Sequence, residues 1–234
     1  MNVILGATQR KSQLGFNEAF RYATIYNPTA PVKDSDPKFD IYDGYFQQVL
    51  FDYYNPVQIL EEDKNDDADK IINISLKGSY EIVKGLSVDA FYSVQRGSCI
   101  GGQYYDKNSY WVGMDRNGLA DQRMDNSSSR LFESTAHWDG QVGGANLTVL
   151  GGYTYQDFTN AGFHARGGDF ITDAFSYDNL SAALDFNNGK GTVQSYKNSS
   201  KLIAFFGRVN LNVTDNWFLM ASARYEGSSR FGED

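Results

Sequence analysis

The sequence lacks any run of apolar residues long enough to cross a membrane as a helix, which takes about 20 such residues. Cys99 is the single cysteine, so an internal disulfide is excluded. The two histidines, His137 and His164, are too few and too far apart to indicate a histidine-based site. Membrane crossing by strands is not excluded, because a barrel strand needs only about 9–11 residues, of which half are apolar.

Positive charge is also scarce. Lysine and arginine number 21 against 29 acidic residues, and the net charge of -8 argues against a nucleic-acid partner. No Ser-His-Asp group, phosphate-binding glycine loop or pair of acids has a supporting context, so we predict no enzyme, cofactor or metal site. The first residues also lack the basic and apolar regions of a signal peptide, which leads us to expect a removed leader or a partial chain.

Aromatic residues and glycine are abundant: the chain has 16 Tyr, 16 Phe, 3 Trp and 23 Gly, at a mean hydropathy of -0.48. The segment Lys70–Ile82 alternates strictly between apolar and polar residues, which predicts a strand. Six further strands are predicted by similar patterns, although the alternation of the first is poor. These are Asn2–Gln9, Leu86–Gln95, Arg130–Asp139, Leu147–Gln156, Lys201–Val213 and Trp217–Tyr225.

The connections between these strands are of two kinds. Short turns at Val83–Gly85, Gln141–Gly144 and Thr214–Asn216 close hairpins, whereas the predicted long connections are Lys11–Asp69, Arg96–Ser129 and Gln156–Ser200. Aromatic residues lie near both ends of each apolar face, with aliphatic or small residues between them. This combination is typical of outer-membrane barrels. We therefore predict an all-β, antiparallel transmembrane β-barrel segment of about seven strands with long extracellular loops, forming an open sheet when alone. The alternative is a large soluble sheet with one face on a core.

Several short segments resemble the SusC/RagA family of TonB-dependent (TonB-linked) outer-membrane transporters of Bacteroidetes. They are Asn27–Val32 after a helix-like run at Asn17–Tyr26, Asn55–Val57, Gly151–Gln156, Phe206–Asn210 and Arg224–Gly232. Glu226 departs from the family pattern, in which aspartate is expected. The resemblance implies that residues 1–234 are a partial TonB-dependent-receptor β-barrel domain, and that the plug domain and the carboxyl-terminal strands are absent.

The resemblance also implies a function. The intact protein is expected to lie in the bacterial cell outer membrane, in contact with lipid, and to import glycans (or peptides). A SusD-like surface lipoprotein and the TonB complex, the latter reached through the missing plug region, are the expected partners. Two alternatives stay open. A passive porin or adhesin barrel should have a uniformly polar lumen, which Phe206, Phe218 and Met220 contradict, and a soluble carbohydrate-binding β-protein should not need detergent.

Candidate binding residues lie in the predicted loops and on the lumen side. Tyr104, Tyr105, Tyr110 and Trp111 could stack against sugar rings, although packing of the loop against its neighbours is the alternative. Three lumen-side residues could contact the missing plug or form salt bridges within the wall, namely Arg208, Arg224 and Glu226.

The acidic run Glu61–Asp69 could hold calcium, but it lacks the spacing of a defined calcium loop. Runs of like charge are usually solvated. We therefore predict that this run is an external loop in water.

Overall fold

The computed structural model describes residues 1–48, 50, 52–214 and 217–231. Seven antiparallel strands form one open sheet in chain order, as the sequence predicted. The strands are β1 Asn2–Gln13, β2 Lys64–Val83, β3 Leu86–Tyr105, β4 Leu119–Val142, β5 Ala145–Gly168, β6 Thr192–Thr214 and β7 Trp217–Ser228. The helices are α1 Asn17–Ile25, α2 Pro56–Glu62 and α3 Leu184–Asn187, and short 3-10 turns cover Pro37–Tyr42, Met114–Arg116, Asp173–Asp178 and Leu180–Ala182. Within the described ranges, no helix has the length and apolar character needed to span a membrane.

The strands are much longer than the sequence predicted. β4 and β5 have 24 residues each, well over twice the 9–11 that a membrane crossing needs. The long connections are correspondingly shorter than predicted and comprise residues 14–63, 106–118 and 169–191. The added length lies on the side of the long connections. In these extensions the sequence does not alternate regularly between apolar and polar residues. The strands are stabilised there by backbone pairing, which leaves no period-2 pattern in the sequence.

The register of the sheet aligns the apolar residues of successive strands in rows. Tyr92 pairs with Leu76 and Phe132, and Tyr155 then pairs with Phe132 and Ile203. The next row contains Tyr153, Phe205 and Tyr225, and the rows below it contain small and aliphatic residues, including Val88, Ala136, Gly151, Gly207 and Ala223. Trp138 lies one row lower again, beside Leu86 and Val149. The aromatic residues on the side of the long connections therefore share rows, whereas those near the short turns, Tyr80, Trp138 and Trp217, are staggered from strand to strand, and the aliphatic band lies between the two groups.

We call the face that carries these rows the outward face, and the opposite face the lumen face. Ile72, Ile74 and Leu76 are 52%, 41% and 38% exposed, and Phe205 and Tyr225 are 57% and 77% exposed. A soluble sheet would bury such a row beneath helices or a second sheet. The outward face is therefore a surface suited to lipid.

Two of the predicted hairpin turns are described. Gly143 and Gly144 have φ of 60° and 85°, as a two-residue type I′ turn requires at both central positions. Gly85, in the turn between β2 and β3, has φ of 84°. The third predicted turn, Thr214–Asn216, lies largely outside the described residues. The two described turns lie at one end of the sheet, opposite the long connections.

Buried side chains are concentrated at the other end, where two connections pack on opposite faces of the strand tips. Residues 14–63 form a cluster of Phe16, Ala19, Tyr22 and Ile59 that packs on the lumen-face residue Tyr105. Residues 169–191 pack on the outward face, and that cluster contains Tyr104, Ala120, Phe170 and Ala183. The strand tips are therefore enclosed on both sides, whereas the apolar rows below them stay exposed.

Candidate functional site

The predicted sugar-stacking residues do not share one environment. Tyr104 and Tyr105 end strand β3 instead of lying in a loop, and alternation directs them to opposite faces. Tyr104 is 1% exposed; its hydroxyl donates to Asp173 at 2.7 Å, and its ring meets Phe170 edge-on at 5.6 Å between centroids. The ring of Tyr104 therefore has no free surface for a ligand.

The other three candidates are half-buried in a connected group of rings on the lumen side. The Trp111 ring lies 5.1 Å from Phe16 and 5.5 Å from Tyr105, between centroids. Tyr110 lies 5.2 Å from Tyr42 and 5.5 Å from Tyr54. We call Phe16, Tyr22, Tyr42, Tyr54, Tyr105, Tyr110 and Trp111 the aromatic cluster. Sequence reasoning missed its members from residues 14–63, although the density of aromatic residues there was a usable signal.

Buried amides connect the aromatic cluster to helix α2. Asn55 caps this helix, since its Oδ1 accepts from the Val57 backbone N–H at 3.0 Å, and its Nδ2 donates to the Val32 and Phe46 carbonyls. Gln58 donates to the Asn108 carbonyl at 2.8 Å, which ties α2 to residues 106–118. The motif Asn55–Val57 thus sets the start of the helix that supports the cluster.

The acidic run is not the solvated loop that the sequence predicted. Glu61 and Glu62 end α2, and the residues from Lys64 onward belong to β2. Asp63 between them is 6% exposed and accepts from the Asp106 backbone N–H at 2.9 Å and from Ser109 Oγ at 3.0 Å. Burial raises the pKa of Asp63 to about 7 and that of Glu62 to about 8.

Within β2, the same run alternates between the two faces of the sheet. Asp67 pairs with Arg123 at 2.9 Å and Asp69 pairs with Arg10 at 2.5 Å on the lumen face, whereas Asp66 on the outward face accepts from Tyr177. Over the part of the chain that the structure describes, no three acidic, histidine or cysteine side chains are grouped closely enough to hold a metal ion. The aspartates act as ion-pair and hydrogen-bond partners along the wall.

The predicted plug-contact residues lie on the lumen face of β6 and β7. Arg224 lies opposite Phe206, with its guanidinium carbon 5.6 Å from the ring centroid, and also bonds the Glu226 carboxylate. Arg208, opposite Ser222, is exposed and has no ion pair among the described side chains. The predicted salt bridge therefore exists for one arginine, within one strand.

The chain is similar in sequence and fold to several known proteins, although no protein-family model matches it. TonB-dependent receptor P3 of Formosa agariphila is 28% identical over 185 residues, which are 78% of this chain and 18% of that protein. TonB-dependent receptor SusC of Bacteroides thetaiotaomicron is 22% identical over 233 residues, or 91% of this chain and 22% of that protein. The structure of the RagAB peptide transporter matches with a TM-score of 0.70 at 20% identity, covering 81% of this chain and 21% of that one.

The chain therefore spans about a fifth of the length of the proteins that it matches. Its seven long antiparallel strands, with aromatic rows on the outward face, have the fold of a segment of the barrel wall in the matched structure. The chain is similar in sequence and fold to the SusC/RagA type of TonB-dependent transporter, as its motifs indicated.

Proposed function

We propose that this protein takes part in TonB-dependent import of oligosaccharides through the bacterial outer membrane, by binding and gated passage without covalent chemistry. The observation that carries the proposal is the exposed apolar outward face with its two aromatic belts, in a chain similar to TonB-dependent receptors. Import needs partners. A SusD-like lipoprotein would cover the extracellular loops, and the TonB complex would act through a plug in contact with Arg208, Arg224 and Glu226.

The lumen face supports an occupied barrel over a passive pore. Phe218 and Met220 face the lumen and are 65% and 62% exposed, and Phe206 faces the lumen further along the neighbouring strand, opposite Arg224. A water-filled channel would leave these apolar surfaces in contact with water, at a cost of about 25 cal/mol per Å². A plug packed against them would remove that cost.

The aromatic cluster supports a glycan as the ligand. Trp111, Tyr105 and Tyr110 combine flat apolar rings with polar edges on the lumen side, and such surfaces suit the faces and hydroxyls of sugars. A peptide is the second candidate, because the matched RagAB structure is that of a peptide transporter. Uptake assays with both ligand classes separate the two.

We expect uptake to depend on TonB. In a strain that carries the intact transporter, deleting TonB should abolish accumulation of labelled oligosaccharide and leave surface binding in place. Peptide accumulation should be the same in strains with and without the transporter gene. Uptake that persists without TonB would contradict active import. If deleting the transporter gene abolished peptide uptake and left oligosaccharide uptake unchanged, the ligand would be a peptide.

We expect Trp111→Leu to weaken glycan binding to the intact transporter about 2- to 13-fold, the range for loss of a ring contact worth about 0.5–1.5 kcal/mol. Leucine keeps apolar bulk against Phe16. Trp138→Leu removes the same residue type from the outward face near the short turns, and serves as the matched control. Equal binding by both variants in titration calorimetry would exclude Trp111 from the ligand site.

A further inference from the structure

A ring of cations follows the apolar rows on the outward face. On four strands, the first outward side chain on the extracellular side of the apolar rows is basic, although single apolar residues such as Ile100 and Met124 follow further along the strands. Lys70 follows Ile72 on β2, Arg96 follows Val94 on β3, Arg130 follows Phe132 on β4, and Lys201 follows Ile203 on β6. On β5 that position is Asp157, which bonds Arg130 at 2.5 Å. We call Lys70, Arg96, Arg130 and Lys201 the cationic collar.

The collar is segregated from the acidic residues of the wall. The chain has a net charge of -8, yet in the strands as described the acidic side chains of the outward face are Asp66 and Asp157 alone. The aspartates at similar heights face the lumen instead, where Asp67 and Asp69 pair with Arg123 and Arg10. A salt-bridged surface would mix both signs on one face. The outward face carries a local excess of positive charge.

The height of the collar corresponds to the headgroup layer of a membrane. Each cation lies two residues beyond the end of the apolar rows, which is about 7 Å along a strand. The hydrocarbon core of a bilayer is about 30 Å thick and the whole bilayer about 40–45 Å, so each headgroup layer is about 5–7 Å deep. Since barrel strands are tilted, the collar lies within or at the surface of that layer.

Part of the collar borders a groove whose lining surface is mostly apolar and which has polar side chains around it. The groove has a volume of about 360 Å³ and is lined by the outward residues Lys70, Arg96, Ser98, Asn126, Ser128 and Thr159. Lys70 and Arg96 are exposed, and neither forms an ion pair with another described residue. Two free cations with hydroxyl and amide groups on the adjacent strands match the charge and the acceptor oxygens of a phosphate group.

We propose that this groove binds the phosphate-bearing headgroup of a lipid in the outer leaflet, with Lys70 and Arg96 as its cations. We assign the phosphate to a lipid because the groove is continuous with the apolar rows below it. The acyl chains of the same molecule would lie on Ile72 and Val94. The proposal depends on the barrel-wall fold and not on the transported ligand.

The test is lipid binding to the purified intact transporter, measured by native mass spectrometry with a phosphorylated lipid A and its dephosphorylated form. A membrane-surface cation contributes about fivefold in affinity, so Lys70→Gln with Arg96→Gln should weaken binding of the phosphorylated lipid about 25-fold. Binding of the dephosphorylated lipid should not change. Lys77→Gln is the matched control, because Lys77 is an exposed lysine on the lumen face of the same strand.

Four results would overturn the proposal. The first three are unchanged affinity in the double variant, an equal loss in Lys77→Gln, and equal binding of both lipids by the wild-type protein. Displacement of the lipid by inorganic phosphate at equal concentration would also overturn it, since the site would then be one for a free anion. The assay contains no TonB and no glycan, so its outcome is independent of the import experiment.

Discussion

Replacing Val88 with arginine is expected to lower the free energy of unfolding of the intact barrel by about 1–2 kcal/mol, because a lipid-facing cation costs about 2–4 kcal/mol at the bilayer midplane and about 0–1 kcal/mol near the interface. Val88 lies on the outward face between Tyr80 on β2 and Ala136 on β4, two residues from Leu86 at the start of β3. Its height is therefore between the midplane and the short turns, and the expected cost is intermediate. Chemical unfolding in lipid vesicles measures the loss.

The matched control for Val88→Arg is Ser87→Arg, one residue earlier on the same strand. Ser87 faces the lumen and pairs with Glu81, which can neutralise a new cation. This variant should unfold within about 0.5 kcal/mol of the wild type, as most surface substitutions do. If both variants lose the same stability, or if Val88→Arg loses none, then the outward face does not contact lipid.

The membrane-level part of the fold could be predicted from the sequence for a simple reason. There, one face of each strand contacts lipid and the other contacts a wet interior, so alternation is imposed on every residue, as in Lys70–Ile82. Above that level no such constraint acts. The strands continue by backbone pairing alone, and the extensions of β3, β4 and β5 therefore could not be predicted.

The same cause explains the partial success at the candidate site. Once β3 is known to reach Tyr105, alternation places Tyr104 and Tyr105 on opposite faces of the sheet. The predicted strand ended at Gln95, so there was no reason in the sequence to assign the two tyrosines to different faces. Which connection covers which face depends on tertiary packing of residues 14–63 and 169–191, distant in sequence from the tips that they cover. The burial of Asp63 could not be predicted for the same reason, because it is buried by residues 106–109, more than 40 positions away in the sequence.

Raising the pH from about 4 to about 7 is expected to loosen residues 106–109 from helix α2, because Asp63 must ionise in a buried site. Its pKa is raised by burial from 3.8 to about 7, which outweighs the hydrogen bonds from Asp106 and Ser109 that favour the charged form. A raised pKa means that the folded state holds the proton more tightly. The stabilisation is therefore complete below pH 4 and is lost as the pH rises through about 7.

The expected loss of stabilisation follows from the rise in the pKa of Asp63 from 3.8 to about 7, which corresponds to about 4 kcal/mol. Hydrogen exchange of the Asp106 amide, which donates directly to Asp63, should lose up to about 1,000-fold in protection over this range after correction for the intrinsic rate. Asp63→Asn should flatten the profile, because an amide does not ionise. Asp40→Asn, at an exposed position of the same connection, should leave it unchanged.

A flat profile in the wild-type protein would mean that water or a cation reaches Asp63, so that its charge costs little. A profile that survives in Asp63→Asn would instead assign the effect to Glu62, whose pKa is raised by burial to about 8. The physical cause is the same whether Asp63 or Glu62 ionises, because α2 and residues 106–118 enclose both acids between them. Ionisation of either acid opposes the packing that supports Tyr110 and Trp111.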